Sequence, residues 1–448
     1  MYGILEKINS FLGSTVTVFL LLSGITVTVA IINYTALHPV RFLKTLTPQK
    51  TKSDSRSPLG SLCLALAGTL GVGNISGVAA AISVGGAGSV FWMWMCSFFC
   101  AALKYAEAVL AVKYRIKDLN GEYEGGAHLY IQKAYRLPAL GGFFCILCLL
   151  GSFTTGNVTQ ANAAAQSAEL ALGVDPMLCG VILTVLILIF CRSGSAIYSF
   201  TLRLIPLLCV GYVILCSCVM IKNSDQIGEV TQMILASAFT ARAGVGGALG
   251  VICNRAVRFG ITRGVMSNEA GCGTAPIAHA SANTDSPAAQ GFLGIIEVLF
   301  DTLVLCSLTA YVILLSGVST DTESSTSTAI NAFTSTLGNA VAVPLAISML
   351  LFALASAAGW NYYGKISLTH LGASKKTLNF YTFFYAICAF FGALIPEGII
   401  WQLSDLSIYT MAFINTCAVL LLIGEVREET KLFVKKDDPL SVGKNVIP

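Results

Sequence analysis

The composition of the chain excludes a soluble protein. Of its 448 residues 55% are hydrophobic and 11% are charged, and the mean hydropathy is +0.76. Soluble domains carry about 25% charged residues, so most of this chain cannot face water. The net charge of +4 fits basic loops beside anionic lipid headgroups. We therefore expect a lipid bilayer around the chain, but neither nucleic acid nor an obligate protein partner.

Apolar stretches recur along the whole chain and predict an all-α integral membrane protein. About 20 residues suffice to cross a hydrocarbon core roughly 30 Å thick as a helix. With Gly, Pro and charged residues as boundaries, the sequence predicts eleven membrane-spanning helices in one transmembrane domain. They cover residues 12–33, 58–83, 88–113, 140–171, 178–191, 204–221, 231–253, 289–316, 339–364, 379–396 and 404–424, and a tail follows over 425–448.

The basic residues predict the orientation of these helices. Of the 27 Lys and Arg residues, 23 fall in alternate connections, namely 34–57, 114–138 together with Lys113 at the preceding helix end, 192–203, 254–288, 365–378 and the tail. Cytoplasmic loops of membrane proteins carry such an excess. We expect a plasma membrane protein, in a bacterial inner membrane, with its N-terminus outside and its C-terminus in the cytoplasm. The loop 317–337, which has no basic residue, is predicted to be external.

Cysteines and histidines give no sign of a metal centre or an enzyme. The 15 cysteines lie mostly in apolar runs and lack the paired spacing of zinc sites. The four histidines, at positions 38, 128, 279 and 370, fall in predicted inner loops without a catalytic motif. We expect packing roles for the cysteines, loop positions for the histidines, no organic cofactor and no enzymatic activity.

Glycine clusters interrupt two of the predicted spans, at 68–77 and at 240–250. Glycine costs about 1 kcal/mol against Ala inside a helix, so each cluster favours a local break. Paired breaks are typical of inverted-repeat transporters, with a peripheral helix at 12–33 and five-helix repeats at 58–221 and 231–424. Free N–H groups at such a break bind a carboxylate, and free carbonyls bind a small cation. The alternative is that these glycines only allow close helix packing.

Polar residues at membrane depth mark further candidates, because each must be satisfied or used. Gln160, in the polar stretch 154–162, fits either a substrate contact or an interhelical hydrogen bond. Trp360 fits a pocket wall or an interfacial aromatic belt. Ser356 fits a cation ligand or a hydroxyl bonded to its own helix. The spaced pairs Lys104/Glu107 and Glu297/Asp301 are interpreted as structural or gating groups near helix ends.

Several sequence motifs resemble the alanine or glycine:cation symporter family, the sodium:alanine symporters of the amino acid–polyamine superfamily. They include Gly-Asn-Ile-Ser-Gly-Val-Ala at 73–79, Lys-Tyr-Ala-Glu at 104–107, Ser-Asn-Glu-Ala-Gly at 267–271 and Gly-Trp at 359–360. The resemblance covers roughly 60–365 and involves long motifs in the family's order. It implies a LeuT-type fold with two discontinuous helices, and uptake of alanine or glycine driven by sodium.

The resemblance also implies a set of site residues. Substrate contacts are expected at Thr69, Gly71, Gly73, Asn74, Gly156, Gln160 and Trp360, and the second break adds Gly246, Gly247 and Ala248. Sodium is expected at the hydroxyl of Ser356, with backbone carbonyls near Leu70 and Gly73. Relatives have Phe at position 248 and often Ser at position 355, where this chain has Ala at both. These departures leave open a proton-coupled transporter or one of broader specificity.

An ion channel is the non-transporter alternative. The paired breaks argue against it, and so does the absence from the sequence of a short repeated filter motif.

Overall fold

The chain folds into a bundle of helices, which a computed structural model describes for residues 2–35, 56–118, 121–239, 255–320, 324–395 and 397–436. In its first half the helices are α1 Tyr2–Thr35, α2 Pro58–Thr69, α3 Ser76–Gly85, α4 Gly88–Tyr114, α5 Ala127–Tyr135, α6 Pro138–Phe153, α7 Thr159–Leu172, α8 Pro176–Phe190, α9 Gly194–Lys222 and α10 Ile227–Ala238. A two-stranded hairpin, β1 Ile116–Lys117 and β2 Tyr123–Glu124, follows α4.

The second half continues with α11 Arg255–Asn268, α12 Ala275–Ala280, α13 Pro287–Val298, α14 Ser307–Ser316, α15 Ser325–Leu337, α16 Ala342–His370, α17 Lys375–Leu394, α18 Glu397–Leu421 and α19 Ile423–Lys436. Two π-helical turns, Thr154–Val158 and Leu299–Cys306, join α6 to α7 and α13 to α14. Such turns are frequent at functional sites, because they turn side chains and carbonyls out of the regular helix register.

In the described part of the chain, eight helical stretches are long and apolar enough to cross a membrane, and α2 with α3 forms a ninth that bends by 67°. Helix α8 is shorter but equally apolar. Large hydrophobic side chains on α8, α9 and α17 are exposed, as expected for surfaces that contact lipid. By contrast, 83% of the apolar window of α4 is buried, so this helix lies in the middle of the bundle.

The first broken span lies where the glycine cluster predicts it. Ser57 caps α2 by accepting a hydrogen bond from the backbone N–H of Gly60 at 3.0 Å, and Pro58 occupies the first helical position. At Leu70 and Gly71 the backbone becomes extended. A short 3₁₀ turn over Val72–Asn74 follows before the chain becomes α-helical again.

The predicted second break at 240–250 lies outside the described residues. The region 254–288, predicted to be an inner loop, instead contains α11 and α12, with the non-helical residues 269–274 as a break between them. Helix α11 begins beside the start of α4, where Gly260 lies against Ser89. Further along, the backbone N–H of Gly273 donates to Glu107, and Arg115 at the end of α4 donates to the carbonyl of Ala282. Helix α11, the non-helical residues 269–274 and α12 therefore run parallel to α4 from one end to the other.

The arginines of α11 explain why sequence hydropathy does not predict a helix here. Arg255, Arg258 and Arg263 lower the mean hydropathy of the helix, so the apolar stretch at 231–253 looked like the better candidate. Two further boundaries also shift. Helix α9 begins at Gly194, so most of the expected loop 192–203 is helical, and the expected loop 317–337 contains α15. His279 is buried in α12 rather than lying in a loop.

Single-cysteine labelling should separate the two ends of the second broken span. With reactive native thiols removed, Arg255→Cys should react with a membrane-impermeant maleimide on intact cells. Asp285→Cys should react only in inside-out vesicles, because α11 and α12 connect opposite ends of α4. Both are exposed positions. Reaction of both from the same face would contradict the crossing.

Candidate functional site

The residues of the first break are buried, and their backbone groups find partners within the bundle. The backbone N–H of Gly71 donates to Oδ1 of Asn74 at 3.3 Å. The hydroxyl of Ser76 donates to the carbonyl of Val72 at 2.9 Å. A Cβ built on Gly73 would meet no atom within 4 Å, so free space lies beside the break at this residue. Thr69, the last residue of α2, is 5% exposed.

Gln160 ties α7 to this break. Its Oε1 accepts a hydrogen bond from the backbone N–H of Val72 at 3.0 Å, and its Nε2 donates to the carbonyl of Thr155 at 3.1 Å. Gly71 lies against the same amide, so a side chain there would collide with it. Of the two roles considered for Gln160, the structure shows the interhelical hydrogen bond. Gln160 thus positions the backbone of the break, and substrate contact by its side chain stays a prediction.

Asn74 links the first break to the second half of the chain. Its Nδ2 donates to Oδ1 of Asp301 at 2.7 Å, and its carbonyl accepts from the hydroxyl of Thr309 at 2.8 Å. Asp301 also accepts hydrogen bonds from Ser267 at 2.6 Å and from Thr302 at 2.9 Å. Among the described residues, no Lys or Arg forms a salt bridge with Asp301, which is fully buried. The π turn thus presents a carboxylate that has hydrogen-bond donors but no counter-ion.

Ser356 faces the end of α2. Its hydroxyl donates to the carbonyl of Gly68 at 3.2 Å rather than to its own helix, and both partners are buried. The expected carbonyls near Leu70 and Gly73 are not its partners here. A Cβ on Gly359 would lie 2.7 Å from the backbone nitrogen of Gly68. The two glycines therefore allow α2 and α16 to approach closely enough for this hydrogen bond.

Trp360 packs across the π turn between α6 and α7. It is fully buried, and a Cβ on Gly156 would overlap its Cβ and Cγ atoms. The hydroxyl of Tyr385 donates to the carbonyl of Gly156 at 3.0 Å and to that of Ala357 at 2.9 Å. Trp360 is therefore part of the bundle interior and not of an interfacial belt. It fixes the π turn against α16.

The second break is organised around Glu107 of α4. The two oxygens of Glu107 accept hydrogen bonds from the backbone N–H groups of Gly271 at 3.1 Å and of Gly273 at 2.9 Å. Asn415 of α18 donates to the same carboxylate at 2.6 Å and to the carbonyl of Gly271 at 2.7 Å. Both glycines have positive φ angles, 85° and 79°, which other residues rarely adopt. This tight turn therefore depends on glycine and on one buried carboxylate.

A chain of buried charged groups lies beside the second break. Lys104 is 3.2 Å from Oε1 of Glu297, and Nε2 of His279 is 2.9 Å from Oε2 of the same carboxylate. Nε2 of Gln290 donates a hydrogen bond to Nδ1 of His279 at 2.8 Å. Glu269, whose φ is +51°, accepts from the hydroxyl of Thr274 at 2.6 Å. All of these groups are buried, and Lys104 and Glu107 lie about two to three turns before the C-terminal end of α4.

The structure brings together most of the residues that the sequence singled out. Those at the first break and around it are Thr69, Gly71, Gly73, Asn74, Gly156, Gln160, Ser356 and Trp360. Gly246, Gly247 and Ala248 lie outside the described residues. Sequence reasoning gave Glu107 and Asp301 structural or gating roles near helix ends and treated His279 as a loop residue. The motif at 267–271 and the spacing of Gly271 and Gly273 were the signals that could have located the second break.

Removal of the Glu107 carboxylate should destabilise the protein. In Glu107→Ala two buried N–H groups lose their acceptor, and each unsatisfied group costs about 1–3 kcal/mol. We expect a clear fall in thermal unfolding temperature in detergent, and a smaller fall for Glu107→Gln, which keeps one acceptor oxygen. Phe98→Ala, at an exposed position of the same helix, is the matched control. An unfolding temperature like that of the parent in Glu107→Ala would contradict this assignment.

Comparisons with known proteins agree with this architecture. Residues 1–443 match the model of the sodium:alanine symporter family. The sodium/alanine symporter AgcS of Methanococcus maripaludis is 34% identical over 446 residues, which cover 96% of this chain and 97% of the relative. The probable sodium/glutamine symporter GlnT of Bacillus subtilis is 33% identical over 393 residues, with 86% and 79% covered.

Among solved structures, a substrate-bound, outward-open Na⁺-coupled sialic acid symporter aligns with a TM-score of 0.53 at 13% identity. The alignment covers 96% of this chain and 87% of that one, and it shows a shared fold. The chain belongs to the sodium:alanine symporter family, and it is a multi-pass membrane transporter rather than an enzyme.

Proposed function

We propose that this protein imports a small neutral amino acid, alanine or glycine of either hand, together with sodium by alternating access. The observation that carries the proposal is the pair of buried, interrupted helices, which meet where Asn74 of the first break contacts Ser267 near the end of α11 and Asp301 of the π turn. Non-helical backbone at membrane depth is tolerated where it is buried in protein or lines a cavity, and in transporters its free N–H and C=O groups bind substrate and ions. Family membership supports amino acid symport with sodium.

The proposed architecture has eleven crossings and an inverted repeat. Helix α1 is the peripheral crossing, and the first five-helix unit extends from α2 to α9. The second unit starts at α11 and not at residue 231, since α11 with α12 is the broken helix that corresponds to α2 with α3. The excess of Lys and Arg in the remaining inner loops supports an N-terminus outside and a C-terminus in the cytoplasm.

Two places in the site suit a coupling cation. At the first, the hydroxyl of Ser356 and the carbonyl of Gly68 already lie 3.2 Å apart, and carbonyls at the end of a half-helix attract cations. At the second, the Asp301 carboxylate lacks a basic partner among the described residues. A buried carboxylate is costly unless it is paired, so a bound cation would stabilise it. Sodium bound at both places would connect α2 with α16 and with the π turn at Asp301.

The substrate site is proposed beside the first break. The space next to Gly73 is open, whereas Gly71 and Gly156 are each closed by a neighbouring side chain, Gln160 and Trp360. Because the space is confined on these two sides, it favours a small amino acid. The N–H groups of the break would bind the carboxylate of that amino acid. The predicted contacts at Gly246, Gly247 and Ala248 remain part of the proposal.

Proton coupling, with a broader substrate range, is the alternative. Glu107, Glu269, Glu297 and Asp301 are four buried carboxyl groups in this region, and Lys104 is the one lysine among the described residues that is buried beside them. Protons could neutralise some of these carboxylates in place of sodium.

Uptake of labelled alanine into proteoliposomes tests the function. An inward sodium gradient should stimulate accumulation of intact alanine, and unlabelled alanine inside should accelerate entry by exchange. Stimulation by a proton gradient instead would support the alternative. Passive flux that shows neither saturation nor exchange would identify a channel and contradict symport.

Gln160→Ala should weaken alanine binding, because the N–H of Val72 and the carbonyl of Thr155 lose their partner. The expected loss is about 1–3 kcal/mol, measured as binding affinity in detergent at equal protein level. Gln160→Glu, which keeps the acceptor for Val72, should lose less. Gln166→Ala, on the same helix, is the control. If affinity is unchanged in Gln160→Ala, the residue has no influence on recognition.

Sodium dependence should rest on Ser356. Ser356→Ala should abolish sodium stimulation of uptake, and Ala355→Ser should lower the sodium concentration for half-maximal uptake by adding a hydroxyl next to it. Ser348→Ala, on the same helix with its hydroxyl bonded to Pro344, is the control. Sodium stimulation that survives in Ser356→Ala would remove this residue from the cation site.

A further inference from the structure

A polar cavity lies apart from both breaks, where α1, α11 and α18 meet. Its volume is about 350 Å³. The charged and polar side chains that line it include Asn9, Arg258, Arg263, Gln402, Asp405 and Tyr409. Apolar helix packing would leave no such cavity, because interiors are filled to high density. None of these residues belongs to the site at the two breaks.

The cavity contains groups of both charges. Arg258 and Arg263 supply two guanidinium groups, which recognise a carboxylate or phosphate by paired hydrogen bonds. Asp405 supplies a carboxylate that interacts electrostatically with Arg263. A site for a simple anion would not place this carboxylate beside the guanidinium groups.

Two oxygens in the lining side chains have no hydrogen-bond partner. Asn9 is 6% exposed, and its Nδ2 donates to the carbonyl and to Oε1 of Gln402 at 2.7 and 2.6 Å. Its Oδ1 is buried without a partner, and so is Oδ1 of Asp405. Buried acceptors without a donor are rare and costly. An ammonium group has three donors and no acceptor, so it would suit both oxygens.

The cavity lies near one end of the bundle. Asn9 precedes the apolar span that begins at Phe11, and Asp405 lies at the start of the span Ser404–Leu421. Arg258 is on the first turn of α11, next to the start of α4. In the proposed topology this is the outer end. Helix α11 then leads inward from the cavity to Ser267, which contacts Asp301.

We propose that this cavity binds a small zwitterion that carries an ammonium and an oxyanion. The oxyanion contacts Arg258 and Arg263, and the ammonium contacts Asp405 and Asn9. A free amino acid and the headgroup of an ethanolamine lipid share this chemistry. The choice of an amino acid as the ligand rests on the proposed function. Helix α11 joins the cavity to the central site, so an amino acid bound here would be a substrate before it enters that site.

Binding stoichiometry tests the proposal in nanodiscs of phosphatidylcholine and phosphatidylglycerol, without ethanolamine lipid. The parent should bind two labelled alanine molecules per chain, and Asp405→Asn should bind one. Gln160→Ala should keep the outer molecule. Glu229→Gln, an exposed carboxylate outside the cavity, should behave like the parent. Melting curves check that each variant is folded.

A second arm identifies a lipid source by native mass spectrometry in mixed lipids that include phosphatidylethanolamine. One alanine per chain, with ethanolamine lipid retained by the parent and lost in Asp405→Asn, would assign the zwitterion to the headgroup. One alanine and no retained lipid would overturn the proposal and leave a water-filled cavity. Sodium-driven uptake by the parent is measured in parallel, so that failure of the second site is distinguished from failure of symport.

Discussion

The structure depends on how it satisfies the backbone groups that two helix breaks release inside a membrane. Neither lipid nor regular helix offers them partners there, so side chains from other helices must do so. Glu107 and Asn415 complete the turn at Gly271 and Gly273, and Gln160 accepts from Val72. Each of these side chains stands on a different helix. The breaks therefore fix the mutual positions of α4, α7 and α18 as much as those helices fix the breaks.

The same arrangement explains why so many charged groups are buried. Lys104 pairs with Glu297, which also accepts from His279, and each partner is fully buried. Such a network contributes little net stability, because desolvation offsets most of its attraction. Asp301 stands apart from it, since its hydrogen bonds come from neutral groups only. The network links α4, α12 and α13 through Lys104, His279 and Glu297, whereas Asp301 has no salt-bridge partner among the described residues.

The first half of the site was predictable from sequence, and the second half was not. The cluster at 68–77 has several glycines in an otherwise apolar span. Since glycine makes helix formation less favourable, the sequence alone predicts a break here. At the second break only Gly271 and Gly273 are needed, because Glu107 and Asn415 supply the missing partners from distant parts of the chain. Long-range hydrogen bonds of this kind leave no local pattern. The arginines of α11 also lower its hydropathy, and two of them, Arg258 and Arg263, line the polar cavity beside α1 and α18.

If sodium and an amino acid bind as proposed, the contacts of Asn74 would couple the two. Its Nδ2 donates to Asp301, while its Oδ1 accepts the N–H of Gly71. A cation bound at Asp301 would compete with that Nδ2 for the same carboxylate oxygen and would attract the amide oxygen instead. If the amide turned toward the ion, the N–H of Gly71 would lose its acceptor and would be free to bind a carboxylate at the open space beside Gly73. Ion and amino acid would then each bind more tightly to the conformation that the other stabilises, and this difference in affinity between two conformations is what couples their binding.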